Sequence, residues 1–240
     1  MRRRLLGCLM MAALVSGCAP ARVQSAGPVE TGPLAAPGLV MVYPFSIVPQ
    51  AVRLDQGVQA RLQRGTDPSA IAAAQARAAA DAQSALQATL IADLRAKGLP
   101  AVAAQGAPPP HGVALLVQGR ILSLNEGNRT RRLVVGLGAG QSRLSADAQM
   151  LYAGPGQQPR RLQNFTVEAD SGRMPGGAET LGVGVAAGTA ATAAAASAGM
   201  HAANEHRSTD DEALANKAAH GLAAQIGDYA AAQSWIAAHS

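Results

Sequence analysis

The stretch from Val113 to Tyr152 constrains the fold more than any other. Short apolar runs rich in Val, Leu and Ile lead from Val113 into the turn formers Asn125-Glu126-Gly127-Asn128. Further on, Arg143, Ser145, Asp147 and Gln149 alternate with Leu144, Ala146, Ala148 and Met150. Short runs rich in Val, Leu and Ile around a polar turn read as a strand, a turn and a returning strand. The period of two places one face of the second strand in a core and the other in water. A chain with this hairpin at its centre is built on a sheet, and its helices must cover the sheet's apolar face.

Those helices are legible. Asp67 and Pro68 supply a cap and an N1 proline for a helix from Ser69 to Lys97, stopped by Gly98 and Pro100. Ile71, Ala78, Ala82, Leu86, Leu90 and Leu94 recur along it at helical spacing and form its packing face. Before it, Leu39 to Tyr43 is a continuous apolar run halted by Pro44, expected as a strand buried on both faces. After it, Pro100 to Ala103 can form a short strand, and the order strand, helix, strand predicts a parallel crossover. Gln105 to Gly112, with its three prolines, reads as a stiff exposed loop.

Beyond the hairpin, Gln163 to Val167 supplies another strand after the turn at Gly154-Pro155-Gly156, and Ser171 to Ala178 reads as loop. Ser208 and Asp211 make a capping-box pattern that opens a last helix, with Leu214, Ala218, Leu222, Ile226, Tyr229 and Ile236 as its buried stripe. The expected fold class is α/β (α+β): a single domain with a mixed, mostly antiparallel sheet flanked by two long helices. Aromatic residues are only 2% of the chain, so small aliphatics must build the core, and platforms for stacking bases or sugars are scarce.

The N-terminus carries a different kind of signal. Arg2-Arg3-Arg4, the apolar run Leu5 to Val15 and the small residues before Cys18 fit an export signal. Val15-Ser16-Gly17-Cys18 resembles the lipobox of bacterial lipoproteins, in which the signal is cut before the cysteine and that cysteine is acylated. Residues 1–17 are then expected to be removed, and Cys18 to become the first residue, anchored in membrane lipid. Leu5-Leu6-Gly7-Cys8 has similar spelling, but cleavage there would leave almost no hydrophobic stretch for export. With Cys8 lost in the signal and Cys18 acylated, no thiol remains for a disulfide or thiolate chemistry.

Several acyl chains hold far more firmly than one, so no spanning helix is needed. Ala19 follows the cysteine, where an inner-membrane retention signal would have aspartate, so the expected address is the periplasmic face of the outer membrane. Residues 18–38 read as a flexible Pro/Ala/Gly tether, with a mean reach on the order of 25 Å. Residues 39–240 are the expected periplasmic domain. Three of the 20 Lys and Arg residues leave with the signal, and the remaining 17 against 15 acids remove the bulk-charge case for nucleic acid.

The hairpin also carries a family resemblance. Glu126-Gly127-Asn128-Arg129-Thr130-Arg131-Arg132, followed by Val135-Gly136-Leu137-Gly138-Ala139-Gly140-Gln141-Ser142, resembles the core motif of a bacterial lipoprotein family catalogued as a domain of unknown function, number 4410. The resemblance runs from about Leu39 to the C-terminus. It implies an envelope address and a fold, and it carries over no catalytic residue.

Several constellations invite chemistry. Gly136-Leu137-Gly138-Ala139-Gly140 follows a strand, but an alternating strand comes next where a dinucleotide site needs a helix N-terminus. The glycines are better read as permitting close backbone contact. Arg120, Arg129, Arg131, Arg132 and Arg143, with Arg160 and Arg161, can form a basic strip on one sheet face suited to an anionic envelope partner. The plainer reading is a solvated face with Glu126, Asp147 and Glu168 as counter-charges. Arg129, Arg131 and Arg132 are the candidate anion- or partner-binding residues.

Leu181 to Met200 is uncharged and rich in Ala and Gly, with the length of a membrane span, but its alanines contribute little to insertion. Packing on protein is the preferred reading. His201, Glu205 and His206 lack the spacing of a helical zinc pair. Ser142 lacks a nucleophile elbow, and no order of serine, histidine and carboxylate suggests a triad. The chain is therefore expected to be an outer-membrane lipoprotein that binds or scaffolds, with no catalysis, cofactor or metal. Its expected partners are membrane lipid and an envelope protein or anionic envelope component, with self-association open. The first rival is a self-associating, secretion-channel-like envelope component whose 181–200 segment inserts. The second is a hydrolase using Ser142 and His111.

Overall fold

The structure, a computed structural model, describes residues 20–26, 32–109, 111–128, 131, 139–172 and 205–237. The central hairpin is its spine. Strand β5 (Ala114–Asn125) pairs antiparallel with β6 (Arg143–Ala153), and β6 pairs antiparallel with β7 (Arg160–Asp170). The alternation seen in the sequence is realised in β6, where Leu144, Ala146, Ala148 and Met150 are buried while Arg143 and Gln149 are exposed.

On the other edge of β5 the sheet turns parallel. β2 (Leu39–Val42) lies beside β5, β4 (Ala101–Ala103) lies beside β2, and the two-residue β3 (Val52–Arg53) pairs with the far end of β5. The connection from β2 to β4 passes through the long helix α2 (Pro68–Ala96), so the expected parallel crossover is present. With β1 (Arg22–Ala26) at one edge, the strand order is β1-β7-β6-β5-β2-β4, a mixed sheet in a single α/β domain.

Helix α2 and the last described helix, α3 (Glu205–Ala232), cover one face of the sheet. Leu86, Leu90 and Leu94 from α2 meet Leu214, Leu222 and Ile226 from α3 in the core, each such side chain contributing about 1.5–3 kcal/mol by leaving water. Alanines at 78, 79 and 82 in α2 and at 215, 218, 219 and 223 in α3 are buried and let the backbones approach. Thr89 donates to Asn216 Oδ1 at 2.7 Å, and His220 pairs with Asp93, so the two helices are also stitched by polar contacts.

Helix α2 begins where the sequence places it. Asp67 accepts from the Ser69 hydroxyl at 2.8 Å and from the Ser69 amide at 3.0 Å. The hydroxyl contact first, then the amide, holds the Asp67 carboxyl below the usual aspartate range. A depressed folded value means the cap's contribution is complete above the ordinary aspartate range and disappears as pH falls through the lower value. Asp67→Ala is expected to lower the melting temperature at neutral pH, with the gap to the parent closing in acid. Calorimetry at neutral and acidic pH checks this.

Four expectations need correction. The returning strand does not follow the Asn125–Asn128 turn directly; β6 starts at Arg143, opposite Asn125. Its approach is set by backbone contact, since the Asn128 amide donates to the Gly140 carbonyl at 2.9 Å and a Cβ on Gly127 would collide with that same carbonyl. β7 is longer than Gln163–Val167 at both ends.

The proposed tether is partly folded. Arg22–Ala26 forms β1, an edge strand antiparallel to β7, with Val23 and Ala21 seated against Gly221 of α3. Farther on, Trp235 Nε1 donates to the Leu34 carbonyl at 2.9 Å, and Gln233 Oε1 accepts from the Leu34 amide at 3.0 Å. Finally, α3 is already helical from Glu205, so the backbone at Ser208 is not that of an N-cap, and Asp211 is buried. Leu214, Ala218, Leu222, Ile226 and Tyr229 are its buried stripe as expected, while Ile236 lies past the helix end and packs on the core from there.

Candidate functional site

The most chemically specific cleft lies in residues 45–66, which drew no sequence expectation. β3 runs beside the end of β5, with Arg53 in register with Asn125. The chain then turns at Asp55, whose Oδ1 accepts from the Gly57 amide at 2.7 Å. The tip of the central hairpin fixes this turn: Glu126 Oε2 accepts from the Asp55 amide at 2.8 Å, and the Gly127 carbonyl accepts from the Gln56 amide at 3.2 Å. Helix α1 (Val58–Arg64) starts from that support and ends at Gly65, whose φ of +73° favours glycine.

Between β3, α1 and the start of α2 is a cleft of about 620 Å³. Arg53, Arg61 and Arg64 line it together with Gln56, Gln75 and Asn125, and among the described residues no carboxylate belongs to the lining. Arg61 donates to Gln56 Oε1 at 2.8 Å and Arg64 to the Asp55 carbonyl at 3.2 Å. None of the three arginines is in an ion pair among the described residues. The Nε of Arg64 is buried with no hydrogen-bond partner. A buried donor left without an acceptor costs about 1–3 kcal/mol, which an incoming oxygen would recover. Guanidinium forks match carboxylate and phosphate oxygens in pairs, so the arrangement suits holding an anion.

The sheet arginines follow the plainer reading, a solvated face with counter-charges, rather than a basic strip. On the sheet face away from the helices, Arg120 lies 3.6 Å from Asp147, Arg143 is in register with Asp170, and Arg22 is in register with Glu168. Opposite charges on adjacent strands make this face a mixed-charge ladder, and such exposed pairs contribute roughly 0–1 kcal/mol each. Arg160 and Arg161 pair with Tyr152 and Leu151 at the other end of β7, and the Arg160 guanidinium carbon lies 5.3 Å from the Tyr152 ring centroid. Arg131 is exposed, with its amide on Asn128 Oδ1 at 2.9 Å, at the same hairpin tip that supports α1. Arg129 and Arg132 lie outside the described residues, as do Cys18, Leu181 to Met200 and His201.

Ser142 and His111 are not brought together. Ser142 precedes β6 and His111 precedes β5, and antiparallel pairing puts those positions at opposite ends of the hairpin, roughly 30 Å apart. Among the described residues no group of three His, Cys, Asp or Glu side chains could hold a metal ion. No described helix is long and apolar enough to cross a membrane. The signal that would have exposed the cleft is Arg61 and Arg64, three apart, in a short segment bounded by Gly57 and Gly65.

Fold and cleft together define a one-sheet α/β domain, helices on one face, with an arginine-lined cleft at the ends of its central strands. The chain belongs to the family described as Domain of unknown function (DUF4410), whose model matches residues 40–188. That match takes in β2 through β7, including the cleft. Among solved structures, the chain is similar to two of PelC from Paraburkholderia phytofirmans, both dodecamers and one a point variant. The variant is 13% identical, covering 84% of this chain and 96% of that chain with a TM-score of 0.34. The other is 12% identical, covering 85% and 98%, also with a TM-score of 0.34. Likeness at that level carries no property over. No curated protein matches the chain.

Proposed function

We propose that this chain is an outer-membrane lipoprotein, anchored on the periplasmic face through acylated Cys18, whose domain binds an anionic envelope component without catalysis or a cofactor. The observation that carries the binding reading is the buried, unpartnered Nε of Arg64 in a cleft with two further guanidinium groups. The export signal, the lipobox spelling and Ala19 support the address. Among the described residues the cleft is lined by guanidinium, amide, hydroxyl and apolar groups, a set that recognises oxygen atoms.

One experiment tests both halves. The chain with Cys18→Ser, exported behind a cleavable non-lipoprotein signal, is expected to leave the membrane fraction in alkaline carbonate. Titrated calorimetrically with inorganic phosphate, the released protein should bind. Arg64→Ala should weaken that binding about tenfold or more, the scale of a charge-assisted hydrogen bond of about 1.5–3 kcal/mol. Retention in the membrane would instead point to Leu181–Met200 and the self-associating alternative. Phosphate binding that ignored Arg64→Ala would remove the cleft from the account.

A further inference from the structure

The end of the sheet from which the chain departs toward Cys18 is also the end that carries α1. Arg22 is in register with Glu168, Arg143 with both Asp170 and Asn125, and Asn125 with Arg53. These positions lie on one rim of the sheet, and α1 follows directly from Arg53. Three strand spacings separate β1 from β5, about 14 Å. Pro20 is two residues from Cys18, a link of at most about 7 Å, so an acylated Cys18 would hold this rim close to the bilayer.

Helix α1 has an unusual outer face for such a place. Ala60 is its buried residue. At about 100° per residue, Val58 and Leu62 each project about 160° from it, toward the outside. They are 72% and 79% exposed. Arg61 lies beside that apolar face, between it and the arginine cleft. An exposed apolar pair bordered by arginines, on a rim tied to lipid, is the pattern of a segment that lies in the headgroup interface.

We infer that α1 is a second membrane contact, with Val58 and Leu62 seated among the lipid headgroups and Arg53, Arg61 and Arg64 facing lipid phosphates. The inference rests on the lipoprotein reading above for its orientation. It commits the cleft to a headgroup phosphate presented by a bilayer. The domain then stands fixed on the membrane rather than swinging from it.

Acylated full-length protein carrying Leu62→Cys, labelled there with an environment-sensitive dye, is to be placed in vesicles of phosphatidylethanolamine and phosphatidylglycerol containing a lipid-borne nitroxide quencher. A dye at Gln157→Cys, in the exposed turn at the opposite rim, is the control. The dye at position 62 is expected to shift to the blue and to be quenched about threefold more than the control, as burial of the helix face in the interface requires. Equal quenching at the two positions, with acylation confirmed by mass, overturns the inference and leaves the lipoprotein reading standing.

A mass without acyl chains overturns the lipoprotein reading, and a second arm then decides the inference alone. Unacylated Cys18→Ser protein should co-sediment with the same vesicles, and Val58→Ser with Leu62→Ser should lower that partition about tenfold. Both variant positions are solvent-exposed, and an unchanged melting temperature shows that the fold is intact. No co-sedimentation of the unacylated parent, or partition unaffected by the double variant, counts against α1. A protein dimer that dissociates in the double variant would assign the face to a second copy of this chain and overturn the inference.

Discussion

Gly119→Val is expected to abolish or nearly abolish the folded domain. Gly119 sits in the middle of β5, and a Cβ there would collide with the Asp147 carbonyl on β6 and come within 2.5 Å of the Phe45 ring. The first obstacle is backbone held by the central ladder, so it cannot rotate away. The second is a side chain with no exposed surface, packed in the core. Overpacking of this kind costs about 3 kcal/mol or more, a large part of the 5–15 kcal/mol typical of a domain. The chain's single tryptophan, Trp235, reports unfolding in a urea titration. A midpoint equal to the parent's would show that β5 and β6 can separate at this point at no cost, contrary to the packing described.

Phe45→Ala should lose about 3–5 kcal/mol by the same measurement. The ring fills the space that the missing side chain of Gly119 leaves. The backbone around it bonds β5 on both sides of that glycine: the Tyr43 amide donates to the Val117 carbonyl at 2.9 Å, and the Ile121 amide to the Ser46 carbonyl at 2.8 Å. Phe45 is one of only two phenylalanines in the chain, and alanines make up much of the surrounding core. Small neighbours held by backbone cannot collapse into the cavity. The two substitutions should be non-additive, because removing the ring takes away one of the two obstacles at 119 but not the Asp147 carbonyl.

Much of this architecture is legible in the sequence, for physical reasons that also explain what is not. β6 announces itself because every second residue faces water. Helix α2 does so because Asp67-Pro68 and Gly98 act on their own neighbours, within one turn. β1 gives no such local signal: in Arg22–Ala26 only Val23 is strongly apolar, and its place depends on a notch at Gly221, nearly the whole chain away. Helix α1 is too short to be stable alone and exists because the tip of the hairpin holds its first turn.

The candidate site divides along the same line. The family motif at the hairpin tip is a contiguous run and could be recognised. The arginine cleft draws on β3, α1 and α2 and forms only when β3 pairs with β5. For the sheet arginines the plainer reading, a solvated face with acidic counter-charges, matches Arg120 beside Asp147 and Arg22 beside Glu168, but register decides which charges are neighbours, and register includes the bulges between Ile121 and Ser123 and between Met150 and Leu151. Those bulges are settled by packing across strands. No local pattern fixes them.

The pairing of β1 with β7 has a mechanical consequence. A tug that arrives through Pro20 enters β1 along the strand axis, and five residue pairs, from Arg22–Glu168 to Ala26–Asn164, bear it side by side. That is the loading of a lap joint in shear, in which the bonds must yield together, rather than of a zipper that opens one tooth at a time. Gly221 adds a stop behind it, because sliding β1 outward would drag Val23 across the α3 backbone.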